Sequence, residues 1–226
     1  TIPEGSVNKI TDSLGRVIWK KGGTPTDDYF YVENTYEGVN TLTISKTGTP
    51  SATHFYWSKN GSTWAEKQVS ELPLSITMAQ GEKVYIKGDE GVWNTYNNYI
   101  TITANKQHNV GGKIMSFIGE DTTWMSDSFY SLFNGNTTLV DASELVFPST
   151  IIRVSCYKQM FFGCTSLTTA PALPATTLAS YCYYRMFEGC TSLTTAPALP
   201  ATELARECYR FMFKDCTSLT TAPELT

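Results

Sequence analysis

The six cysteines of this 226-residue chain have the spacing that most directly suggests chemistry. They form two columns with a step of 26 residues: Cys156, Cys182 and Cys208, and Cys164, Cys190 and Cys216. A disulfide within each repeat would suit an oxidising exterior. However, a helical segment between the two cysteines usually holds their Cα atoms further apart than the ~4.4–6.8 Å of a disulfide. Buried free thiols are therefore the favoured interpretation, disulfides are the alternative, and a metal site is the least favoured.

The other residues that could carry catalysis are scattered. His54 and His108 lie in different segments, and neither has a second ligand at the spacing of a metal site. The sequence shows no nucleophile triad, no glycine-rich phosphate loop and no His-Glu-x-x-His motif. Neighbouring acids such as Asp141 and Glu144 are interpreted as solvated loop carboxylates. The sequence therefore predicts that the protein is not an enzyme and has no catalytic residue, metal ligand or cofactor.

Charge and composition limit the possible partners. The net charge is −4 without a block of like charges, so the chain lacks the basic surface that nucleic acid requires. No apolar run reaches the ~18 residues of a membrane-spanning helix. The chain starts at Thr1 without a signal-like segment, so we expect a mature or trimmed soluble chain. Its 33 threonines favour β structure, because a branched Cβ packs well on a pleated surface.

A tandem repeat dominates the second half of the chain. The segment GCTSLTTAPALPAT, residues 163–176, recurs without change at 189–202 and begins a third time at Cys216. A divergent copy precedes it at an offset of 28 residues, with Ser128 and Asn136 in place of the two cysteines. Such units cannot bury their apolar side alone and must stack. We expect a strand and two short helical turns in each unit.

The pattern MF-x-GCTSL, followed by a proline-bearing segment and then CY-x-x-MF, resembles the BspA-type leucine-rich repeats of surface and secreted proteins from gut Bacteroides-like bacteria and their phages. The resemblance covers about Phe129 to Thr226. It implies a leucine-rich-repeat solenoid, an extracellular, cell-surface or virion-surface location, and a role in adhesion or recognition. In such repeats one position per coil holds Asn or Cys to satisfy backbone groups inside the turn. The matching structural ladder is Asn136, Cys164, Cys190 and Cys216, beside the second cysteine column of Cys156, Cys182 and Cys208.

The first half alternates short apolar runs with turn residues, which is typical of strands. The runs are Tyr29–Val32, Thr41–Ser45, His54–Trp57, Leu74–Thr77, Lys83–Ile86 and Tyr99–Thr103. With a hairpin turn at Asn60-Gly61, they predict an antiparallel, immunoglobulin-like β-sandwich. The expected fold class is therefore mainly β with short helices: this sandwich followed by a leucine-rich-repeat-type solenoid of 26-residue repeats.

These patterns divide the chain into four parts. Residues 1–26 are expected to form a hairpin with its turn at Asp12–Gly15, followed by a linker. Residues 27–106 are expected to form the sandwich, and residues 107–112, which end in Gly111-Gly112, a second linker. Residues 113–226 are expected to form the repeats, with a divergent first copy and an array that we expect to be truncated.

Short windows differ between the otherwise identical repeats, on what we expect to be one helical face of each coil. The variable residues are Lys158, Gln159, Phe162, Tyr184, Arg185, Glu188, Arg210, Phe211 and Lys214. Arginine and aromatic residues contribute most at recognition surfaces, and repeat arrays vary one face to form a binding surface. These residues are therefore a candidate binding face, although relaxed constraint on exposed residues would explain the same variation.

The sequence thus predicts a non-enzymatic, surface-displayed recognition or adhesion protein that binds a protein or glycan through its repeats. Two alternatives stay open. One is a structural component of a phage particle or other surface assembly, joined to neighbouring subunits through the N-terminal hairpin. The other is a non-catalytic accessory module that binds polysaccharide. Residues 6–19 distinguish the first alternative, because they should be dispensable in a monomeric adhesin and essential in an assembly.

Overall fold

The computed structural model of the protein describes residues 9–11, 17–20, 29–50, 53–88, 94–119, 126–148 and 152–223. The strands are β1 Lys9–Thr11, β2 Val17–Lys20, β3 Phe30–Asn34, β4 Asn40–Thr47, β5 His54–Ser58, β6 Ala65–Gln68, β7 Leu74–Met78, β8 Lys83–Gly88, β9 Tyr99–Ala104, β10 His108–Lys113 and β11 Leu139–Val146. Two short 3₁₀ helices occupy Val69–Glu71 and Ile114–Ile118. The described chain is therefore mainly β.

The six apolar runs of the first half coincide with β3, β4, β5, β7, β8 and β9. Burial alternates along β3 and β9 with a period of two, as a strand with one buried face requires. The hairpin between β5 and β6 turns at Asn60-Gly61, where the Asn60 carboxamide oxygen accepts the N–H groups of Ser62 and Thr63 at 2.9 and 2.8 Å. The turn residues and the alternation together explain why these segments form strands.

Two main sheets supply the core. The larger has the strand order β11-β10-β3-β8-β5-β6, and the smaller has the order β7-β4-β9. Phe30 and Ile86 of the larger sheet and Ile44 and Ile102 of the smaller sheet are buried in one hydrophobic cluster. Strands β1 and β2 form a separate antiparallel pair among the described strands. The expected turn at Asp12–Gly15 and the linker after β2 lie outside the described residues.

The expected linker at 107–112 is wrong, because most of it forms strand β10. This strand pairs antiparallel with β3 and parallel with β11, so the larger sheet is mixed and continues into the repeats. Gly111 is a site of close approach: a Cβ atom there would lie 2.4 Å from the Tyr31 hydroxyl oxygen. Gly112 has φ of 76°, a conformation that glycine adopts without strain. These glycines serve packing and backbone geometry inside a sheet.

The expected fold class is also wrong for the second half of the chain. Within 152–223 the described residues form no strand and no α-helix, only turns and isolated β-bridges such as Thr177 to Glu203. The chain has two main sheets and a series of turns, and it is not an antiparallel sandwich joined to a leucine-rich-repeat solenoid. We name the repeated turns coil 1 (residues 127–136), coil 2 (155–164), coil 3 (181–190) and coil 4 (207–216), and together the turn stack.

A period of four residues explains why neither helix nor strand forms in a coil. In coil 2, Ser155, Gln159 and Gly163 have φ of 55°, 57° and 69°. These left-handed residues prevent a continuous helix, and only every second N–H makes an i to i−3 hydrogen bond, such as Lys158 N–H to the Ser155 carbonyl at 3.1 Å. The intervening N–H groups instead reach the next coil, as Tyr157 N–H does to the Cys182 carbonyl at 3.0 Å. The prolines between coils cannot donate to a ladder, so a repeated strand fails as well.

The turn stack buries two columns of aromatic rings. Phe129, Tyr157, Tyr183 and Tyr209 stack with centroids 5.4, 5.7 and 5.8 Å apart. Phe133, Phe161, Phe187 and Phe213 stack with centroids 5.2, 5.4 and 5.7 Å apart. Burial of each such side chain stabilises the fold by roughly 1.5–3 kcal/mol. The rings keep successive coils in register, so that equivalent residues lie above one another.

Strand β9 supplies the layer that precedes coil 1. Ile102 N–H donates to the Leu132 carbonyl at 2.8 Å, and the Asn136 carboxamide donates to the Ile102 carbonyl at 3.1 Å. The Thr138 hydroxyl donates to the Ala104 carbonyl at 2.6 Å. One edge of the smaller sheet therefore covers the first coil, and the hydrophobic core runs from the sheets into the turn stack without interruption.

Candidate functional site

The nine variable residues of the repeats fall into three columns of the turn stack. The first contains Tyr130, Lys158, Tyr184 and Arg210, and the second Ser131, Gln159, Arg185 and Phe211. The third contains Asn134, Phe162, Glu188 and Lys214. In coils 2 to 4 the four-residue period alternates two buried with two more exposed positions, and the first two columns are half-buried in coils 2 and 3 and exposed in coil 4. Tyr130 and Ser131, their members in coil 1, are buried. Left-handed turns present the columns, and the helical face expected from the sequence is absent from the described coils.

The first column alternates a ring with a cation from one coil to the next. Lys158 Nζ lies 5.7 Å from the ring centroid of Tyr130 and 5.4 Å from that of Tyr184. The Tyr130 hydroxyl donates to Gln159 Oε1 at 2.9 Å, which ties the second column to the first. An ammonium group within ~6 Å of a ring is attracted by its negative face. Lys158 is therefore held between two layers of rings.

The cations of coils 3 and 4 repeat this arrangement. The Arg185 guanidinium carbon lies 5.2 Å from the Tyr184 centroid and 5.3 Å from the Phe211 centroid. The Arg210 guanidinium carbon lies 4.7 Å from the Phe211 centroid. Phe211 is 38% exposed, so its ring is accessible to solvent in coil 4. Rings and cations thus follow the stack without a break from coil 1 to coil 4.

A residue of the sheet half extends this surface. Tyr96 lies in the loop before β9, where Thr95 and Asn98 form an isolated bridge. Its ring centroid is 5.7 Å from that of Tyr130 and 5.0 Å from Lys158 Nζ, and it is 61% exposed. We name the combined surface the ring–cation face, and its residues are Tyr96, Tyr130, Lys158, Tyr184, Arg185, Arg210 and Phe211. The sequence repeat gives no signal for Tyr96, because its position depends on the joint between β9 and coil 1.

Acidic residues at the margin of the ring–cation face pair with its two arginines and with the neighbouring Lys214. Glu207 accepts from Arg210 at 2.9 Å, and Glu188 accepts from Lys214 at 2.9 Å. These hydrogen bonds raise the pKa of Arg210 and of Lys214. Arg185 Nε lies 3.3 Å from Glu188 Oε2, a charge contact without hydrogen-bond geometry. Glu188, which the sequence placed on the candidate binding face, is only 6% exposed. Its carboxylate contacts both Arg185 and Lys214 and so positions two cations.

The cysteines of the structural ladder satisfy backbone carbonyls between coils. The thiols of Cys164, Cys190 and Cys216 donate to the carbonyls of Phe133, Phe161 and Phe187 at 3.1, 3.1 and 3.0 Å. Asn136 occupies the equivalent position in coil 1, where its carboxamide donates to the Ile102 carbonyl of β9 instead.

Phe162, the coil 2 member of the third column of variable residues, is half-buried.

All six cysteines are buried and unbridged in the described chain. Burial raises the pKa of the Cys182 thiol to about 12, and that of Cys156 and Cys208 in the same column also rises. A thiol that stays protonated is neither a nucleophile nor a metal ligand. These residues are consequently structural at neutral pH.

The remaining candidates for chemistry have structural contacts. His108 is fully buried, its Nδ1–H donates to the Lys106 carbonyl at 3.0 Å, and its Nε2 accepts from Asn136 Nδ2 at 2.9 Å. Burial lowers its pKa to about 4, so the ring is neutral at pH 7. His54 lies 3.5 Å from Glu66, and the Asp141 carboxylate accepts from Ser143 N–H at 2.7 Å. Within the described residues no cluster of His, Cys, Asp and Glu is placed to hold a metal ion.

Comparisons with known proteins give no relative. No family model, no curated protein and no solved structure matches the chain. Among the described residues, no helix has the length and apolar character needed to cross a membrane. The geometry of the ring–cation face is therefore the main evidence on function.

Proposed function

We propose that this protein is a non-enzymatic recognition or adhesion protein that binds a protein or glycan of a cell surface through the ring–cation face. The observation that carries the proposal is the alternation of rings and cations along one side of the turn stack, from Tyr96 to Arg210. Tyrosine and arginine are the residues that most often dominate binding energy at interfaces. The display of the protein on a cell or virion surface is supported by the sequence resemblance of its repeats.

The rigidity of the turn stack supports a binding role. Gln159 N–H donates to the Tyr184 carbonyl at 3.0 Å, and Arg185 N–H donates to the Arg210 carbonyl at 3.1 Å. Because these hydrogen bonds fix the backbone beneath the face, its side chains lose little backbone freedom when a ligand binds. Such preorganisation increases affinity, since less ordering entropy is lost on association.

The test is a quadruple alanine variant of Tyr184, Arg185, Arg210 and Phe211, assayed for binding to cells and to immobilised glycans. We expect binding to fall at least about tenfold, which corresponds to ~1.4 kcal/mol. The matched control is the double variant Tyr36→Ala and Lys106→Ala, a ring and cation 5.5 Å apart in the sheet half. Unaltered binding by the quadruple variant, with circular dichroism like that of the native protein, would remove the proposal.

A second proposal is a structural role in a phage particle or other surface assembly. It is supported by the N-terminal hairpin, because β1 and β2 pair only with each other among the described strands. Light scattering on the chain and on a variant without residues 1–24 separates the two proposals. An oligomer that dissociates without the hairpin favours the assembly role, and a monomer in both cases favours recognition.

A further inference from the structure

We infer that the end of the turn stack at coil 4 is a docking surface for one further coil, carried by a partner protein with the same repeat pattern and an uncovered first coil. The inference concerns the end of the stack, whereas the proposed function concerns the ring–cation face along its side. It is carried by the unpaired N–H groups of coil 4, by rings that are covered on one side only, and by the direction of the hydrogen bonds between coils.

The N–H groups that join each coil to the next have no partner in coil 4. In coil 3, Tyr183 N–H donates to the Cys208 carbonyl at 3.0 Å, and the N–H groups of four other alternate residues reach the same layer. Coils 1 and 2 each make the same five hydrogen bonds to the coil that follows. The five equivalent N–H groups of coil 4 have no acceptor among the described residues, and they belong to Glu207, Tyr209, Phe211, Phe213 and Asp215.

Two rings of coil 4 are covered on one side only. Tyr183 and Phe187 of coil 3 are 1% and 0% exposed, because each lies between the rings of the coils before and after it. Tyr209 and Phe213 stack on those rings at 5.8 and 5.7 Å, and their other sides have no ring against them in the described chain. Both are therefore half-buried, and a further ring on each would remove apolar surface from water.

An exposed leucine enlarges the apolar part of this surface. Leu204 is 60% exposed, whereas Leu178, its equivalent one repeat earlier, packs against the hydrophobic core. A further layer would cover Leu204 as the present last layer covers Leu178. We name this surface the donor end, and its residues are Leu204, Glu207, Tyr209, Phe211, Phe213 and Asp215.

The direction of the hydrogen bonds determines what can dock. The carbonyls of coil 4 are already used, as the Cys208 carbonyl is by coil 3 and the Tyr209 carbonyl is by Met212 N–H at 3.1 Å. The donor end therefore offers N–H groups alone. The edge of a β-strand presents N–H and C=O groups alternately, so half of its groups would meet another donor. A coil presents only carbonyls toward the coil before it, and it satisfies the whole row.

A second copy of the chain does not fit the donor end. Two copies that met through their donor ends would place N–H groups against N–H groups. Head-to-tail addition fails as well, because the acceptor side of coil 1 is covered. There the Tyr130 carbonyl accepts from Asn94 Nδ2 at 3.0 Å. The Leu132 carbonyl accepts from Ile102 N–H of β9 at 2.8 Å.

The 226 residues contain no other segment that could supply the coil. The row of carbonyls that faces coil 3 runs over nine residues, 206–214. The longest stretches outside the described residues are 1–8 and 21–28, of eight residues each. The occupant is therefore a coil of a different protein, in which no sheet covers the acceptor side.

The chemistry of the partner coil follows from contacts already present between coils 3 and 4. Two rings four residues apart, as Tyr183 and Phe187 are, would cover the rings of coil 4. The Cys216 thiol donates to the Phe187 carbonyl at 3.0 Å. A cysteine or asparagine at the same position of the partner would donate to the Phe213 carbonyl. The donor end thus selects a segment with the repeat pattern of this chain.

The experiment measures hydrogen exchange of backbone N–H groups in the full chain by NMR, with and without a probe peptide. The probe has the sequence of residues 178–203, which contain coil 3, and is kept reduced. Without the probe, the N–H groups of Tyr209, Phe211 and Phe213 should exchange at least about tenfold faster than their coil 3 equivalents. Saturating probe should slow their exchange at least about tenfold and leave the sheet half unchanged.

Matched peptides and variants test each part of the docking surface. The probe with Tyr183→Asp and Phe187→Asp lacks the rings and should give no protection. A peptide of residues 97–106, which contain β9, tests a strand and should give none either. In the full chain, Leu204→Asp should lower probe affinity about tenfold. Val39→Asp, at a 67% exposed position of the sheet half, should leave probe affinity unchanged.

Three results would overturn the inference. The first is an absence of protection at ~1 mM probe, the weakest affinity of a specific contact. The second is protection by the β9 peptide as strong as that by the probe, which would show that the row accepts any strand. The third is a dimer in light scattering that Leu204→Asp dissociates, because a second copy would then occupy the donor end. None of these results decides the proposed function, which depends on cell and glycan binding by the quadruple variant.

Discussion

A buried hydroxyl in the aromatic column is the clearest defect at the scale of single residues. Tyr183 is 1% exposed, and its hydroxyl has no hydrogen-bond partner among the described residues. Burial raises the pKa of Tyr183, so the group stays neutral. A buried polar atom without a partner costs roughly 1–3 kcal/mol. Stacking against the rings of Tyr157 and Tyr209, with centroids 5.7 and 5.8 Å away, buries apolar ring surface, and this burial offsets the cost.

Removal of that hydroxyl should stabilise the protein. We expect Tyr183→Phe to raise the free energy of unfolding by about 1 kcal/mol, measured by urea denaturation. Tyr209→Phe is the matched control, because Tyr209 occupies the same column in coil 4, where it is only half-buried. Its free energy of unfolding should change by less than about 0.5 kcal/mol. A lower stability of Tyr183→Phe would show that the hydroxyl has a partner in solution.

The buried imidazole of His108 should make stability depend on pH. Its pKa is lowered from 6.5 to about 4, so the unfolded chain binds this proton more readily than the folded chain does. The contribution of His108 is therefore complete above about pH 6.5 and falls as the pH drops toward 4. The stability gap between the native protein and His108→Gln should narrow by about 3 kcal/mol over this window. Urea titrations at several pH values measure the gap, and a constant gap would contradict the buried neutral ring.

At the scale of elements, the left-handed turns define the turn stack. Gln159 has φ of 57°, a conformation that costs an L-residue about 1–2 kcal/mol and a β-branched residue more. Gln159→Val should therefore lower the free energy of unfolding by about 1–2 kcal/mol, whereas Gln159→Gly should keep or raise it. Lys158→Val tests the neighbouring position, which lacks the positive φ, and should cost less. Equal losses for both valine variants would argue against the left-handed turn.

The six strands with apolar runs could be predicted from the sequence, whereas β10, which was expected to be a linker, and the coils could not. Alternation of apolar and polar residues has only one common meaning, a strand with one buried face, and β4 and β9 follow it. Coil 3 buries Cys182, Tyr183, Met186 and Phe187 in pairs. A period of four resembles a short helix in so brief a segment, which explains the wrong expectation. The repetition of these pairs in every copy was the one signal that could have indicated turns.

The residues of the candidate site could likewise be predicted only in part. Variation between copies located Lys158, Tyr184, Arg185 and Arg210, because residues in register stack whatever the coil geometry. Tyr96 could not be located, since no local pattern indicates that its loop lies against coil 1. Contacts between distant segments depend on how the sheets meet the turn stack, and a single sequence carries little information on such joints.

At the scale of the whole molecule, the joint between the sheets and the turn stack is polar at its centre. Asn136 Nδ2 donates both to the Ile102 carbonyl at 3.1 Å and to His108 Nε2 at 2.9 Å. Around this group the hydrophobic core is continuous. We therefore expect the sheets and the turn stack to unfold as one cooperative unit, with Asn136 contributing to both.

Asn136→Ala tests this coupling. The change leaves two buried acceptors without donors, so the free energy of unfolding should fall by about 2–4 kcal/mol. Cys164→Ala is the matched control one coil further on, where only a weak thiol donor to Phe133 is lost, and it should cost about 1 kcal/mol of packing and hydrogen bonding.

Two probes can follow the two halves of the molecule during the same urea titration. Tryptophan fluorescence includes Trp57 and Trp64 of the sheet half, whereas thiol labelling reports on the turn stack, which contains all six cysteines. Because the core is shared, both midpoints should shift together in Asn136→Ala. If thiols became reactive at a lower urea concentration than the fluorescence change, the turn stack would open separately. The joint would then be a boundary between two folding units, and the ring–cation face would come apart before the sheets unfold, because Tyr96 belongs to the sheet half and the other residues of the face belong to the turn stack.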